Sequence, residues 1–318
     1  MLSQIFELVR KATMAASGHN TQPWRFAVRQ NVVEIYPDYG RQLPVVDPNN
    51  RELWISLGCA LENLLQAAHE AGYVYSVRYP EAAEHISIEL EPGESPDDNL
   101  AAEIPQRQNN RSEYNAAPIP GSTLEKLRST ALEPGIMVRW LQEPDAMQAV
   151  ESLVREGDLA QYSHRAFVHE LIAWLRFNHR EAEAQKDGLY SRCSGNPEAP
   201  RWLGRLFVAA IRPQRQADID CRKVRSSSGC LVIASDEDGR VAWVKSGQVY
   251  QRLALTMAIH GITSACMNQP VEVSRLRVQL QSTLELGKLH PQMLVRFGYA
   301  EPMPRSLRRP LEAVLIVE

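Results

Sequence analysis

One stretch near the start of the chain places amide, hydroxyl and aromatic side chains where a helix must end. It reads Ser17-Gly18-His19-Asn20-Thr21-Gln22-Pro23-Trp24, and its turn formers cannot continue the helix predicted for residues 3–16. An asparagine amide both donates and accepts hydrogen bonds, so Asn20 could pair with the polar edge of a planar ring. Alternatively, Asn20 bonds to local backbone and only shapes the turn. We interpret Trp24 as a core anchor, with stacking on a ligand as the alternative.

Two basic segments offer guanidinium groups that suit a phosphate. Arg107-Gln108-Asn109-Asn110-Arg111 precedes a helix in the middle of the chain, and Arg305-Ser306-Leu307-Arg308-Arg309 lies near its end. Arginine can grip a phosphate through two parallel hydrogen bonds, although any one of these residues could be a solvated surface charge. A ligand with a planar polar ring at one end and a phosphate at the other would use both the amides and the arginines.

Other chemistries find little support in the residues. His164, His169 and His179 are too irregularly spaced for a metal triad, so we expect no metal site. His19 is interpreted as a turn residue that could neighbour a ligand. Residues 226–229 could suggest a phosphate loop, but the lysine of a P-loop is missing, so a loop before a strand is the better interpretation.

The elements that must position these residues occur twice. Gly58…Gly72 and Gly247…Gly261 are both fourteen residues apart, and each pair encloses a helix of similar apolar pattern. The helix of 3–16 likewise matches one over 122–132, although any two amphipathic helices align tolerably. We therefore predict an α+β fold in which two half-units form an intramolecular pseudo-dimer, with helices around antiparallel or mixed sheets.

The connection from residue 92 to about 120 is rich in Pro, Asp, Asn and Gly, which predicts a boundary between the halves. We assign residues 1–105 to the first half and 106–318 to the second. Residues 145–225 contain helical stretches around a polar, irregular middle. We predict that this region forms a lid over the site.

Composition narrows the class of protein. The 318 residues carry 35 Lys+Arg and 38 Asp+Glu, a formal net charge of −3, so we expect no nucleic-acid partner. No apolar run reaches the roughly 18–20 residues that span a bilayer, so we expect no membrane partner. The five cysteines form no C-x-x-C pair, and the first residues do not resemble a signal peptide. These features predict reduced thiols and a cytoplasmic location.

The motifs resemble those of the FMN-dependent nitroreductase superfamily. Residues 17–26 are similar to its S-x-x-N-x-Q-P-W-R-F segment at seven fixed positions in ten. Arg107-x-Asn109-x-Arg111 resembles its R-x-S-x-R phosphate arm, with Asn in place of Ser. Residues 261–270 resemble the segment along the flavin ring, and 297–299 with 308–312 resemble the C-terminal return to the phosphate. Because the ring segment and the arm each occur once, the chain is similar to the duplicated Acg-type branch, which has a single FMN site.

The resemblance implies an oxidoreductase that passes hydride from NADH or NADPH through FMN to a nitroaromatic, quinone or similar planar small molecule. It implies no catalytic side chain, because the flavin itself carries the hydride. A monomer would suffice, although further oligomerisation remains open. The alternative is a flavin-storage protein whose lid keeps FMN from turning over. The implied cofactor contacts are Ser17, Gly18, His19, Asn20, Thr21, Gln22, Arg107, Asn109, Arg111, Asn268, Gln269, Pro270, Gly298, Leu307, Arg308 and Arg309.

Overall fold

The first half of the chain forms an antiparallel sheet and a long buried helix. The structure, a computed structural model, describes residues 2–80, 83–94 and 100–316. Apolar side chains at helical spacing bury one face of the first helix, as predicted. The elements of this half are α1 (Leu2–Ala12), β1 (Trp24–Arg29), β2 (Val32–Pro37), α2 (Arg51–Glu70), β3 (Tyr73–Arg78) and β4 (Ile86–Pro92).

The second half repeats this pattern and adds helices. Its first helix ends at Arg128, earlier than the residue 132 predicted from the pattern, and it lacks a side-chain cap. The elements are α3 (Gly121–Arg128), β5 (Ile136–Leu141), α4 (Pro144–Ser163), α5 (Arg165–Trp174), β6 (Leu175–Arg176), α6 (His179–Gln185), β7 (Leu189–Tyr190), α7 (Arg201–Ala209), α8 (Pro213–Arg225), β8 (Gly229–Ser235), α9 (Arg240–Ile259), β9 (Thr263–Cys266), α10 (Gln269–Glu272), α11 (Ser274–Thr283) and β10 (His290–Gly298).

The two main sheets have the same topology. The strand order is β1-β2-β4-β3 in one and β5-β8-β10-β9 in the other, and all neighbouring strands are antiparallel. In each main sheet the long helix joins the strand that comes second along the chain to the one that comes third. Helix α2 lies between β2 and β3, and α9 lies between β8 and β9. The predicted α+β class is confirmed, and the shared strand order indicates that the two halves are duplicates.

The long helices α2 and α9 pack on each other in the centre of the molecule. One hydrophobic core joins both helices to residues from both sheets, including Ile35, Ile88 and Leu231. A second core covers the other face of the β8 sheet with α4, α8 and α11. Strand β8 is therefore buried at all seven positions, whereas β1 and β2 keep partly exposed residues. The two halves therefore share one hydrophobic core.

The C-terminal segment returns to the first half. The Phe26 amide donates to the carbonyl of Val314, and the Ile316 amide donates to the carbonyl of Phe26, both at 2.8 Å. This pairing, in which Leu315 forms a parallel bridge with Phe26, places the apolar residues 313–316 beside β1. The return carries the second basic segment back to the first half.

The region predicted as a lid divides into two parts. Helices α4 and α8 pack with each other and bury Val150, Val154 and Val224 in the second half's own core. Residues 165–212, here called the insert, reach the first half, where Phe167 packs with Leu43 and Val46. The lid therefore remains a proposal for the insert alone, because α4 and α8 are needed to cover the β8 sheet.

Candidate functional site

A cleft forms where the turn after α1, the arginine arm (residues 107–111), the insert and the C-terminal return meet. Its walls combine residues from segments far apart in the sequence and, among the residues that the structure describes, carry no acidic side chain. The lining residues are Met14, Ala16, Ser17, Asn20, Ile104, Pro105, Arg107, Gln108, Asn109, Arg111, Cys193, Pro304, Arg305, Ser306 and Arg308. Four arginines without a carboxylate give the cleft a positive field that suits an anion.

Two of these arginines converge on one backbone carbonyl. Arg107 Nη2 and Arg308 Nη2 each donate to the carbonyl of Met14 at 3.2 Å. The Nε of each guanidinium is buried and has no hydrogen-bond partner among the described residues. Burial, and after it the positive charge of Arg107, lowers the pKa of Arg308. Each group thus keeps an unused donor that a bound anion could satisfy.

The third arginine of the cleft is uncommitted. Arg111 is half-buried and makes no hydrogen bond or ion pair with any residue that the structure describes. Its charge is felt by the imidazole of His19, which places the two side chains in the same neighbourhood. A half-buried cation without a carboxylate partner is uncommon in a stable protein interior. Arg111 is therefore the guanidinium that is most available to a ligand.

Asn20 and Gln22 hold three segments together. Asn20 Nδ2 donates to the carbonyl of Gly188 at 3.1 Å, and Asn20 Oδ1 accepts from Arg308 Nη1 at 3.1 Å. Gln22 Nε2 donates to the carbonyl of Lys186 at 2.9 Å, and Gln22 Oε1 accepts from the Arg309 amide at 2.8 Å. The amides fasten the insert and the C-terminal return to the turn after α1. Asn20 lines the cleft, but its side chain is already bonded to protein.

The turn itself has an unusual backbone. His19, Asn20 and Gln22 have φ angles of 48°, 53° and 52°, in the left-handed region that non-glycine residues seldom adopt. Such a conformation persists only where surrounding contacts enforce it, and it is common at ligand sites. His19 Nδ1 is buried and has no partner in the described part of the chain. Burial, assisted by the nearby Arg111, lowers the pKa of His19 to about 4, so the imidazole is neutral at ordinary pH.

Asn109 is fixed by a residue that the sequence analysis did not identify. Its Oδ1 accepts a hydrogen bond from Arg107 Nη1 at 3.0 Å and another from the Tyr250 hydroxyl at 2.7 Å. Tyr250 lies on α9 and is buried. No local motif marks this tyrosine, because its role depends on α9 lying beside the arm in three dimensions. The replacement of Ser by Asn in the arm thus keeps an acceptor that orients Arg107.

The structure does not bring all the expected site residues to the cleft wall. Ser17, Asn20, Arg107, Asn109, Arg111 and Arg308 line it. Arg309 instead pairs with Asp38 at 3.6 Å, and Leu307 packs against a small apolar cluster of the insert that contains Ala182, Tyr190 and Cys193. The remaining expected residues lie outside the lining set: Gly18, His19, Thr21, Gln22, Asn268, Gln269, Pro270 and Gly298. Cys193 and Gln108, which line the cleft, were not among the expected residues.

Asn268 belongs to a buried acidic cluster. Its Nδ2 donates to Glu52 Oε1 at 3.0 Å, and its Oδ1 accepts from the Leu294 amide at 3.1 Å. Burial, and next the nearby Glu272 carboxyl, raise the pKa of Glu52 well above its ordinary value. Arg51 is the cation beside this cluster, with Nη2 at 3.3 Å from Glu52 Oε1. The raised pKa favours the protonated form of Glu52.

A similar arrangement surrounds Gln269. Its Nε2 donates to Asp158 Oδ1 at 3.1 Å, while Gln269 Oε1 and Asp158 Oδ2 are both buried and lack partners among the described residues. Burial, and next the neighbouring Asp220, raise the pKa of Asp158 to about 8. A protonated Asp158 would have a hydroxyl to donate, which is the group that an unpaired amide oxygen needs.

Comparisons with known proteins agree with the motifs. No family model matches the chain. It is 28% identical to a Mycobacterium tuberculosis protein named "Putative NAD(P)H nitroreductase Rv3131", over 96% of this chain and 88% of that one. It is 24% identical to "Putative NAD(P)H nitroreductase acg" of the same organism, over 97% and 94%. The predicted resemblance to Acg-type nitroreductases is confirmed along nearly the whole chain.

Two solved nitroreductase structures also align with this chain. The FMN-dependent nitroreductase NfnB from Mycobacterium smegmatis, in complex with NADPH, is 14% identical with a TM-score of 0.44, over 69% of this chain and 98% of that one. A nitroreductase with bound FMN from Desulfitobacterium hafniense is 13% identical with a TM-score of 0.44, over the same shares.

Proposed function

We infer that this chain is a member of the nitroreductase superfamily, in its Acg-type branch, and we propose that it binds one FMN. The observation that carries the proposal is the cleft, whose described lining residues include four arginines and no acidic side chain. Two of those arginines have an unused buried Nε donor, and Arg111 has no partner among the described residues. Because an isolated cluster of buried cations is costly, a dianionic phosphate is the ligand that would compensate it.

Different residues would bind the phosphate and the ring of FMN. Arg107, Arg111 and Arg308 would hold the phosphate, with Asn109 and Tyr250 orienting Arg107. The turn of residues 17–22 and the segment of 268–270 would face the ring, as the resemblance implies. When bound, FMN supplies two-electron hydride transfer at its N5 atom. The protein then needs only to position the cofactor and to control access.

We propose that the reductant is NADH or NADPH and that the acceptor is a planar small molecule such as a nitroaromatic or a quinone. The nucleotide and the nitro acceptor extend to this chain what the names of its relatives say of them, and the quinone is what the sequence resemblance implies. One chain carries both the turn of residues 17–22 and the arginine arm, so a single copy would suffice for one FMN site.

Flavin storage is the second candidate, and the insert favours it. Residues 186–188 are fastened to the turn by Gln22, by Asn20 and by the Gly188 amide, which donates to the Asn20 carbonyl at 3.1 Å. Asp187 also pairs with Arg41 of the first half and with Arg176 at 2.6 Å. A buried ion pair of this kind would resist opening, so the insert would restrict access to a bound flavin.

The first experiment is reconstitution followed by reduction. The purified protein is expected to be yellow, with about one FMN per chain after incubation with FMN and gel filtration. A preparation that retains no FMN would overturn both candidates. Anaerobic addition of NADH or NADPH is then expected to bleach the flavin absorption within seconds. Retention of FMN without bleaching by either nucleotide would overturn the enzyme and leave storage.

A further inference from the structure

Helix α7 of the insert presents large apolar side chains to solvent. Trp202, Leu206 and Phe207 are 66%, 60% and 64% exposed, which is unusual for one nine-residue helix. The opposite side of the helix is seated on protein, because a Cβ on Gly204 would lie 2.2 Å from the ring of Phe177. The helix is thus anchored through its small residue, and its bulky side chains face outward.

Arginines lie within and directly after this helix in the sequence. Arg201, Arg205, Arg212 and Arg215 are all exposed, and the sequence contains no Asp or Glu from residue 199 to residue 217. Arg201 pairs with Glu181 at 2.9 Å, whereas the other three form no ion pair within the described ranges. The chain as a whole has a net charge of −3, so the excess of positive charge over residues 199–217 is a local feature.

We propose that this docking surface, made of Trp202, Leu206, Phe207 and the four arginines, binds peripherally to an anionic lipid bilayer. Tryptophan and phenylalanine insert readily at the boundary between headgroups and acyl chains, and arginines bind the acidic headgroups around them. A second copy of the chain fits the surface less well. A two-fold contact through α7 would place the arginines of both copies together without acidic partners.

Peripheral binding is compatible with the rest of the structure. No helix in the described part of the chain is long and apolar enough to cross a membrane, and α7 itself has only nine residues. The sequence predicts no membrane partner because it lacks an apolar run long enough to span a bilayer. A short helix that lies flat on the surface needs only one apolar face. The proposal does not depend on FMN binding.

Vesicle sedimentation with the full chain tests this surface. We expect the protein to sediment with vesicles of equal parts phosphatidylglycerol and phosphatidylcholine, to remain in solution with pure phosphatidylcholine, and to be released by 0.5 M NaCl. The double variant Trp202→Ser/Phe207→Ser should lose at least nine-tenths of the bound fraction, and Arg205→Glu/Arg215→Glu should do the same. The matched control is Leu132→Ser/Val278→Ser, which removes exposed apolar side chains elsewhere and should bind normally.

Three results would overturn the proposal. One is a wild-type protein that stays in solution with the anionic vesicles at low salt. Another is equal binding by the wild type and Trp202→Ser/Phe207→Ser, with circular dichroism showing that both are folded. The third is a dimer, measured by light scattering, that the same double variant dissociates while vesicle binding is absent in both, because the surface would then be a contact between copies.

Discussion

Gly58 of α2 and Gly247 of α9 pack reciprocally, each against the backbone of the other helix. A Cβ on Gly58 would lie 2.0 Å from the carbonyl oxygen of Val244, and a Cβ on Gly247 would lie 2.0 Å from that of Ile55. Val244 precedes Gly247 by three residues, as Ile55 precedes Gly58. The contact therefore has the reciprocity of a two-fold interface, although both sides belong to one chain.

The close helix contact predicts that Gly58→Ala and Gly247→Ala are each destabilising. An added methyl group must push the two helices apart, which typically costs about 1–3 kcal/mol of unfolding free energy or more. Urea unfolding followed by circular dichroism measures the effect. Gly121→Ala is the matched control, since a Cβ there meets nothing within 4 Å. Similar midpoints for all three variants would contradict the interpretation.

Two contacts next to the glycines occupy equivalent positions in the same two-fold relationship. One is an ion pair between Arg252 and Glu62, and the other is a hydrogen bond between the amides of Gln251 and Asn63. Arg252 donates to both carboxylate oxygens of the fully buried Glu62, at 2.8 and 2.7 Å, while Gln251 Nε2 donates to Asn63 Oδ1 at 2.7 Å. Arg252→Ala would leave Glu62 buried without its cation, and we expect a loss of about 3–5 kcal/mol.

The control for that loss is Arg78→Ala, which removes an exposed pair with Glu89 at 2.9 Å. Exposed ion pairs contribute roughly 0–1 kcal/mol, so this variant should unfold almost like the wild type. The comparison uses the same urea titration. If Arg252→Ala lost as little unfolding free energy as Arg78→Ala, Glu62 would be stabilised by groups other than Arg252.

Arg111→Ala is expected to weaken FMN binding about 10- to 100-fold, because a charge-assisted bond to phosphate is lost. Arg128→Ala is the control, since Arg128 is exposed on α3 and forms no hydrogen bond or ion pair with the described residues. Fluorescence titration of each apoprotein with FMN gives the two dissociation constants. Equal constants for both variants would remove Arg111 from the phosphate site.

The acid–amide contact of Asp158 and Gln269 predicts a pH dependence of stability. The folded-state pKa of Asp158 is about 8, against an ordinary value of 3.8. Between these two pH values the carboxyl group is protonated in the folded state and ionised in the unfolded state. Its contribution therefore makes folding less favourable as the pH rises through that window, by up to about 1.4 kcal/mol per pH unit. Below the window both states are protonated, and above it both are ionised.

Asp158→Asn should remove that slope, because an amide supplies the missing donor to Gln269 without titrating. We expect the stability of the variant relative to the wild type to grow from pH 5 to pH 8 and then to level off. Asp218→Asn, at a more exposed carboxylate paired with Arg155 at 2.8 Å, is the control and should not show this growth. Parallel stability curves for Asp158→Asn and the wild type would mean that Asp158 is ionised throughout.

The sequence determined the repeated elements and the segments that meet at the site. Paired glycines at equal spacing and matching apolar stripes predicted the duplicated half-units, because periodicity records which face of each helix is buried. The turn of residues 17–22 and the arginine arm were also identified from residue types and spacing alone. The structure brings Asn20, Arg107, Arg111 and Arg308 to one cleft.

Only the tertiary structure decided which side chains are committed to protein and which remain available. Arg308 and Arg309 are neighbours in the sequence, yet one lines the cleft and the other pairs with Asp38. Tyr250 orients the arm from a distant helix, and Trp202 lies exposed on α7. The local sequence determines which face of a helix or strand is apolar. What that face meets depends on chain packing over long separations, which no local pattern encodes.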